Sequence, residues 1–196
     1  MIVLGLTGSI GMGKSTAAAA LRQMGIPVHD ADLSVHRLMG HGGAAVGAIE
    51  AEFPRAIAAG AVDRTVLGRM VFEDPASLKR LEAILHPLVR AQERIFLRTC
   101  RAARRRMAVL DIPLLYETGA EKRCDAVVVV TAPQFLQDQR VLRRRGMSPK
   151  RLAEVRARQM PDAEKRRRAD FVVQTGIGKR ASRTALLKIV RKLKHR

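Results

Sequence analysis

Aromatic residues are scarce in this chain of 196 residues: they make up 3%, with no tryptophan, five phenylalanines and Tyr116 as the sole tyrosine. So thin a set leaves little from which to build a base-stacking platform for nucleic acid. Cysteine is rarer still. Cys100 and Cys124 could close one bridge at most and lack the C-x-x-C spacing of a metal or redox site, so both read as reduced packing residues. Long apolar runs are missing too. Stretches such as 126–132 fall far short of a bilayer span, which argues against an integral membrane protein, and the opening residues show no basic n-region or cleavage site, so the expected location is cytoplasmic. Acidic residues are outnumbered, 18 against 37 basic ones, for a net charge of +19. The excess sits in one half: residues 1–98 carry 11 Lys and Arg against 9 Asp and Glu, residues 99–196 carry 26 against 9. Counterion release would give such a half affinity for polyphosphate, so composition alone leaves a nucleic-acid partner open.

What is present fits one globular domain with a small insertion, since 47% of the residues are hydrophobic. Residues 2–6 form an apolar run ending in a glycine-rich loop, the pattern of a parallel strand buried on both faces. Residues 15–24 read as a helix closed by Gly25, and 26–29 as a second strand with Asp30 and Asp32 at its carboxyl end, where open α/β sheets place their ligands. From 33 to about 106 the pattern is mostly helical, with Leu78, Leu81, Leu85 and Leu88 on an apolar stripe. Residues 107–112, 126–131 and 170–174 read as further strands, and 180–193 as an amphipathic closing helix. The basic stretch 134–168 reads as a helical hairpin broken near Gly146, with Ser148 as N-cap ahead of Pro149.

Residues 8–15, Gly-Ser-Ile-Gly-Met-Gly-Lys-Ser, match G-x-x-x-x-G-K-[ST] between a predicted strand and a predicted helix, the context that motif requires. Gly8, Gly11, Met12 and Gly13 would bring backbone N–H groups onto phosphate oxygens, with Lys14 reaching the β- and γ-phosphates. The Ser15 hydroxyl suits Mg²⁺, and Thr16 starts a helix whose first N–H groups are free for phosphate. The expected ligands are therefore a nucleoside triphosphate and Mg²⁺. Of the two carboxylates at the second strand, either could cap a helix; Asp30 is the better placed cap and Asp32 the better placed acceptor of a hydroxyl proton. Arg140 and Arg144, four apart and so expected on one helical face, lie on a basic element that could close over a triphosphate, the alternative for either being a solvated charge. Asp111 ends an apolar strand as a Walker-B carboxylate would.

Taken together these motifs resemble the dephospho-coenzyme A kinase family. The similarity runs through residues 4–16, the D-A-D-x-x-x-H string from Asp30 to His36, and Leu85-His86-Pro87. It continues through Asp111-Ile112-Pro113-Leu114-Leu115-Tyr116-Glu117, Gln139-Arg140 with Arg144, Arg156 with Gln159-Met160, and Ala169-Asp170, covering 2 to about 176 in order. That resemblance implies transfer of the γ-phosphoryl of ATP to the ribose 3′-hydroxyl of dephospho-coenzyme A, the last step of coenzyme A synthesis. It implies an α/β P-loop nucleoside triphosphate hydrolase-type fold, a five-stranded parallel sheet ordered 2-3-1-4-5 and flanked by helices. A single domain would divide into a core (about 1–32, 107–137 and 169–196), a helical acceptor-binding insertion (about 33–106) and a lid (about 138–168). Carried over residue by residue, Asp32 is the base, Lys14 the phosphate clamp, Ser15 the Mg²⁺ ligand and Arg140 the lid arginine, with Arg144 beside the nucleotide. Asp32, His86, Pro113, Leu114, Leu115 and Glu117 would form the acceptor side, though for His86 and His36 the preferred reading is structural, as helix caps or carbonyl partners. Where the family has Asn-x-Gly near the adenine, this chain has Gln174-Thr175-Gly176, the same amide on a longer stem. The expected partners are the two small-molecule substrates, with no nucleic acid required and no membrane, acting as a monomer or weak homo-oligomer. A nucleic-acid-stimulated ATPase and an anion-binding module without turnover are the competing readings.

Overall fold

The apolar N-terminal run is the middle strand of the sheet, with every residue from Val3 to Thr7 buried. In chain order the computed structural model, which describes residues 1–72 and 74–194, begins β1 (Ile2–Thr7), α1 (Lys14–Gln23), β2 (Val28–Asp30), α2 (Ala31–Leu38) and α3 (Val46–Glu52). A 3₁₀ turn at Pro54–Ala56 leads into β3 (Ile57–Ala58), β4 (Ala61–Val62), α4 (Arg64–Phe72) and the long α5 (Pro75–Ala102). After β5 (Met107–Asp111) and a 3₁₀ turn at Ala120–Arg123 come β6 (Ala126–Thr131), α6 (Gln134–Leu142), α7 (Pro149–Ala157), α8 (Asp162–Arg168), β7 (Phe171–Gln174) and α9 (Lys179–Lys194).

The chain divides into two compact units, residues 1–30 with 100–196, and residues 31–99. In the first, five parallel strands run in the order β2-β5-β1-β6-β7, the 2-3-1-4-5 order expected of the five sheet strands. Leu6 and Asp30 both register with Asp111, so the carboxyl ends of three strands finish at one level. Leu4, Leu6, Val109, Val128, Val130 and Val173 of the sheet pack with Ala17, Ala18 and Leu21 of α1 and with Leu186, Ile189, Val190 and Leu193 of α9. Strands buried on both faces, as β5 and β6 are, lose their hydrophobic alternation and become continuous Val, Leu and Ala runs. The second unit is helical around its own core of Leu38, Ile49, Phe53, Val62, Leu67, Leu81 and Leu85. Among the described residues no helix is long and apolar enough to cross a membrane.

Two local features differ from the sequence reading. The basic stretch 134–168 is three helices rather than a hairpin: Pro161 stands at the N-cap of α8 with φ −53° and ψ 139°, an extended conformation that ends one helix run and starts another. The predicted break near Gly146 is there, and Ser148 caps α7 by accepting the Arg151 N–H at 3.2 Å. The helical insertion also contains an antiparallel two-stranded hairpin, β3 with β4. Asp74 accepts the N–H groups of Ala76 at 2.9 Å and Ser77 at 3.1 Å at the start of α5. Those bonds and the Ser77 hydroxyl hold its carboxyl below the usual range.

Candidate active site

Two glycines shape the loop between β1 and α1. Gly8 runs so close to β6 that a Cβ on it would lie 2.7 Å from the Val130 carbonyl oxygen, so any side chain there would push two strands apart. Gly13, at φ +86°, is the N-cap of α1 in a left-handed conformation that L side chains rarely adopt. The first helical bond is Ala17 N to Gly13 O at 3.1 Å, so the N–H groups of Lys14, Ser15 and Thr16 are left without helical acceptors. Ser15 and Thr16 are exposed, and no acidic side chain occupies the first turn. This is an anion site by construction, combining unpaired donors with the positive end of the helix dipole.

Lys14 is drawn into the sheet rather than out to solvent. Its ammonium lies 2.7 Å from Asp111 Oδ1, and the two side chains are 14% and 2% exposed. The carboxylate that ends β5 therefore holds the lysine of the glycine-rich loop. Asp30, in register beside Asp111, has Oδ2 3.8 Å from Arg22 and immediately precedes α2. Asp32 is the second residue of α2 and is exposed.

The basic helices touch the loop through named side chains. Arg140 donates to Gly11 O at 3.3 Å and to Thr175 at both Oγ1 (3.2 Å) and the carbonyl (3.0 Å). Thr175 Oγ1 in turn donates to Met12 O at 2.7 Å, which ties the segment after β7 to the loop. Gln137 and Gln159 bond the backbone of Ile10, and Arg156 bridges Gln137 and Asp138. Arg144 lies exposed beyond the last residue of α6, so it does not share a helical face with Arg140. Gln174 is exposed at the end of β7 and lines, with Ser9, Met12, Gln137, Arg156 and Asp162, a cavity of about 790 Å³.

Residues 113–117 join this assembly from the other side of the loop. Thr7 Oγ1 donates to Pro113 O at 3.0 Å; Leu115 is fully buried, and Leu114 is 36% exposed. Glu117 Oε1 accepts the Met160 N–H at 2.8 Å and stands 2.8 Å from the ammonium of Lys165, a lysine with no exposed surface. Nothing in the sequence separates Lys165 from the three arginines that follow it. In the other unit, His36 Nδ1 lies 3.0 Å from the Arg64 guanidinium, while His86 is exposed on α5.

Tyr116 is buried with its hydroxyl unpartnered, and burial pushes its phenol up to about 12 against the opposing pull of Arg168, 4.6 Å over the ring. A raised folded-state value favours the neutral phenol in the native protein, so its contribution to stability is complete below the ordinary value of about 10 and is lost as pH rises towards 12. Because this is the only tyrosine, tyrosinate absorbance of the native protein should titrate near pH 12. A midpoint at the unperturbed value would contradict the buried environment. Tyr116→Phe should leave stability at neutral pH unchanged or higher, since it removes only an unsatisfied hydroxyl.

A parallel sheet in this strand order, with a glycine loop feeding a helix and a buried lysine–aspartate pair beneath it, defines a P-loop protein of the kinase type. The sequence profile of the dephospho-CoA kinase family matches residues 2–178, and the chain belongs to that family. It is 64% identical over 166 residues to the dephospho-CoA kinase of Paramagnetospirillum magneticum, covering 85% of this chain and 78% of that one. Identity to the dephospho-CoA kinase of Rhodospirillum rubrum is 56%, covering 94% and 88%. A crystal structure of a Thermus thermophilus protein superposes with TM-score 0.85 at 38% identity, covering 97% of this chain and 96% of that one.

Proposed function

We propose that this chain transfers the γ-phosphoryl of ATP to the ribose 3′-hydroxyl of dephospho-coenzyme A, releasing ADP and coenzyme A in the cytoplasm. The observation that carries the reading is the phosphate loop with Lys14 held at Asp111, in a chain that belongs to the dephospho-CoA kinase family. Cys100 and Cys124 are not joined in a disulfide, which suits a reducing compartment.

The N–H groups at Gly11, Gly13, Lys14, Ser15 and Thr16 would donate to phosphate oxygens, the Met12 N–H being bonded to Ser9 O at 3.1 Å, and Lys14 would move from Asp111 towards the β- and γ-phosphates as their charge competes for it. The exposed Ser15 hydroxyl, a hard neutral oxygen in the first turn of α1, fits Mg²⁺, which when bound would neutralise charge on the bridging phosphates. Asp32 would accept the proton of the attacking hydroxyl as its oxygen forms the new bond to phosphorus and ADP departs. Arg140 would stabilise charge on the transferring group, with Arg144 and Gln174 near the nucleotide. His86, Pro113, Leu114 and Leu115 would line the acceptor side. Glu117 serves that side through its loop, because its carboxylate holds Lys165 and the Met160 N–H.

The test is an acceptor screen with purified protein, ATP and Mg²⁺. Dephospho-coenzyme A should yield coenzyme A and stoichiometric ADP. Turnover with a nucleoside monophosphate and none with dephospho-coenzyme A would sink the proposal.

A further inference from the structure

Both peptide groups of Ile10, inside the phosphate loop, are taken by side-chain amides of the basic helices. The Ile10 carbonyl accepts from Gln137 Nε2 at 2.7 Å, and its N–H donates to Gln159 Oε1 at 3.1 Å. The two amides arrive on different elements. Gln137 is 4% exposed on α6, which follows β6 after two residues, and its own Oε1 accepts from Arg156. Gln159 lies in the link between α7 and α8 and is half-buried.

The attachments of the three helices are unequal. On α8, Asp162 Oδ2 accepts from Thr131 Oγ1 at 2.8 Å and Lys165 pairs with Glu117 at 2.8 Å, so that helix is fixed at two places to β6 and the 113–117 loop. On α6, Gln137 and Arg140 reach the backbone at Ile10 and Gly11. Between them, α7 buries Leu152 and meets α6 through Arg156, and past its C-terminal end the Gln159 side chain reaches Ile10 while the Met160 N–H reaches Glu117 at 2.8 Å. Of these ties, the Gln159 bond is the one that reaches the loop that holds the phosphates, and a directional bond there can open and re-form as substrates enter and leave.

We propose that Gln159 is a positioning residue: by accepting the Ile10 N–H it latches the C-terminal end of α7 onto the phosphate loop, in the closed arrangement that keeps water from the γ-phosphoryl. The inference rests on the kinase reading above. A neutral amide suits the task, since it supplies an acceptor without adding negative charge beside a triphosphate. Gln137 holds the same residue from the static side, so the loop keeps its shape when the Gln159 bond opens.

Gln159→Ala removes the acceptor, and Gln159→Glu retains it. In Gln159→Ala, the Ile10 amide should exchange with solvent about 5–10-fold faster, the equivalent of one lost hydrogen bond. Phosphoryl transfer should slow by a similar factor with KM for the acceptor nearly unchanged, and ATP hydrolysis should rise relative to transfer because water gains access. Gln159→Glu should restore Ile10 protection. Wild-type exchange at Ile10 in Gln159→Ala overturns the latch, and so does faster exchange with an unaltered ratio of hydrolysis to transfer. A wild-type protein that transfers nothing to dephospho-coenzyme A overturns the function instead, an outcome read separately from Ile10 exchange.

Discussion

Asp32→Asn is expected to lower kcat by about 10²–10⁴-fold, the range for losing a positioned general base. The amide reproduces the shape of the carboxylate but does not take up the hydroxyl proton, so the loss should fall on kcat while KM for ATP stays close to wild type. The control is Asp30→Asn. Asp30 ends β2, registers with Asp111 and has Arg22 at 3.8 Å, so its carboxylate has a structural neighbour that accounts for it. It should tolerate the same change with far less effect on turnover. Steady-state rates of the two variants, measured side by side, separate the roles that the D-A-D string left open. If Asp30→Asn is inactive and Asp32→Asn is not, the assignment is reversed.

What the sequence disclosed depended on whether a feature is contiguous. The phosphate loop is written in eight adjacent residues, and the buried strands are runs of aliphatic side chains, so both could be read directly. The strand order could not: βαβ handedness limits the arrangements, but it was the family resemblance that supplied the order the sheet shows. The hairpin of β3 and β4 was hidden because its strands are two residues each and its sequence, Ile-Ala-Ala-Gly-Ala-Val, is rich in the best helix former. The partners of the loop come from far along the chain. Thr175 meets Met12 across 163 positions and Gln159 meets Ile10 across 149, separations at which spacing carries no signal.

The basic half of the chain illustrates the same limit. Read as composition, 26 Lys and Arg in 98 residues suggest a polyanion partner. In the folded chain several of these charges have assigned work: Arg140 grips Gly11 and Thr175, Arg156 binds Gln137 and Asp138, and Arg168 meets Glu121 and the face of Tyr116. Others, such as Arg143, Arg144 and Arg145, are exposed. A field of this sign would steer ATP and dephospho-coenzyme A, both polyanions, towards the loop.

Lys165→Met is expected to cost about 3–5 kcal/mol of stability, the penalty for leaving one member of a buried ion pair without the other. Lys165 has no exposed surface and Glu117 is 17% exposed, so water cannot readily replace the lost ammonium. Glu117 Oε2 is already buried without a partner, and in the variant Oε1 would retain the Met160 N–H alone. At roughly 2–4 °C of Tm per kcal/mol for a chain of this size, the shift should be plain in thermal melts. The neighbouring Arg166 and Arg167 are exposed, and the same substitution there should change stability by less than about 0.5 kcal/mol. A double variant, Lys165→Met with Glu117→Gln, should recover part of the loss, because a neutral amide can keep the Met160 bond without leaving a buried charge. Equal Tm for Lys165→Met and Arg166→Met would show that the pair contributes no net stability. A double variant no better than the single one would show that the cost lies in packing around the lysine stem rather than in the charge.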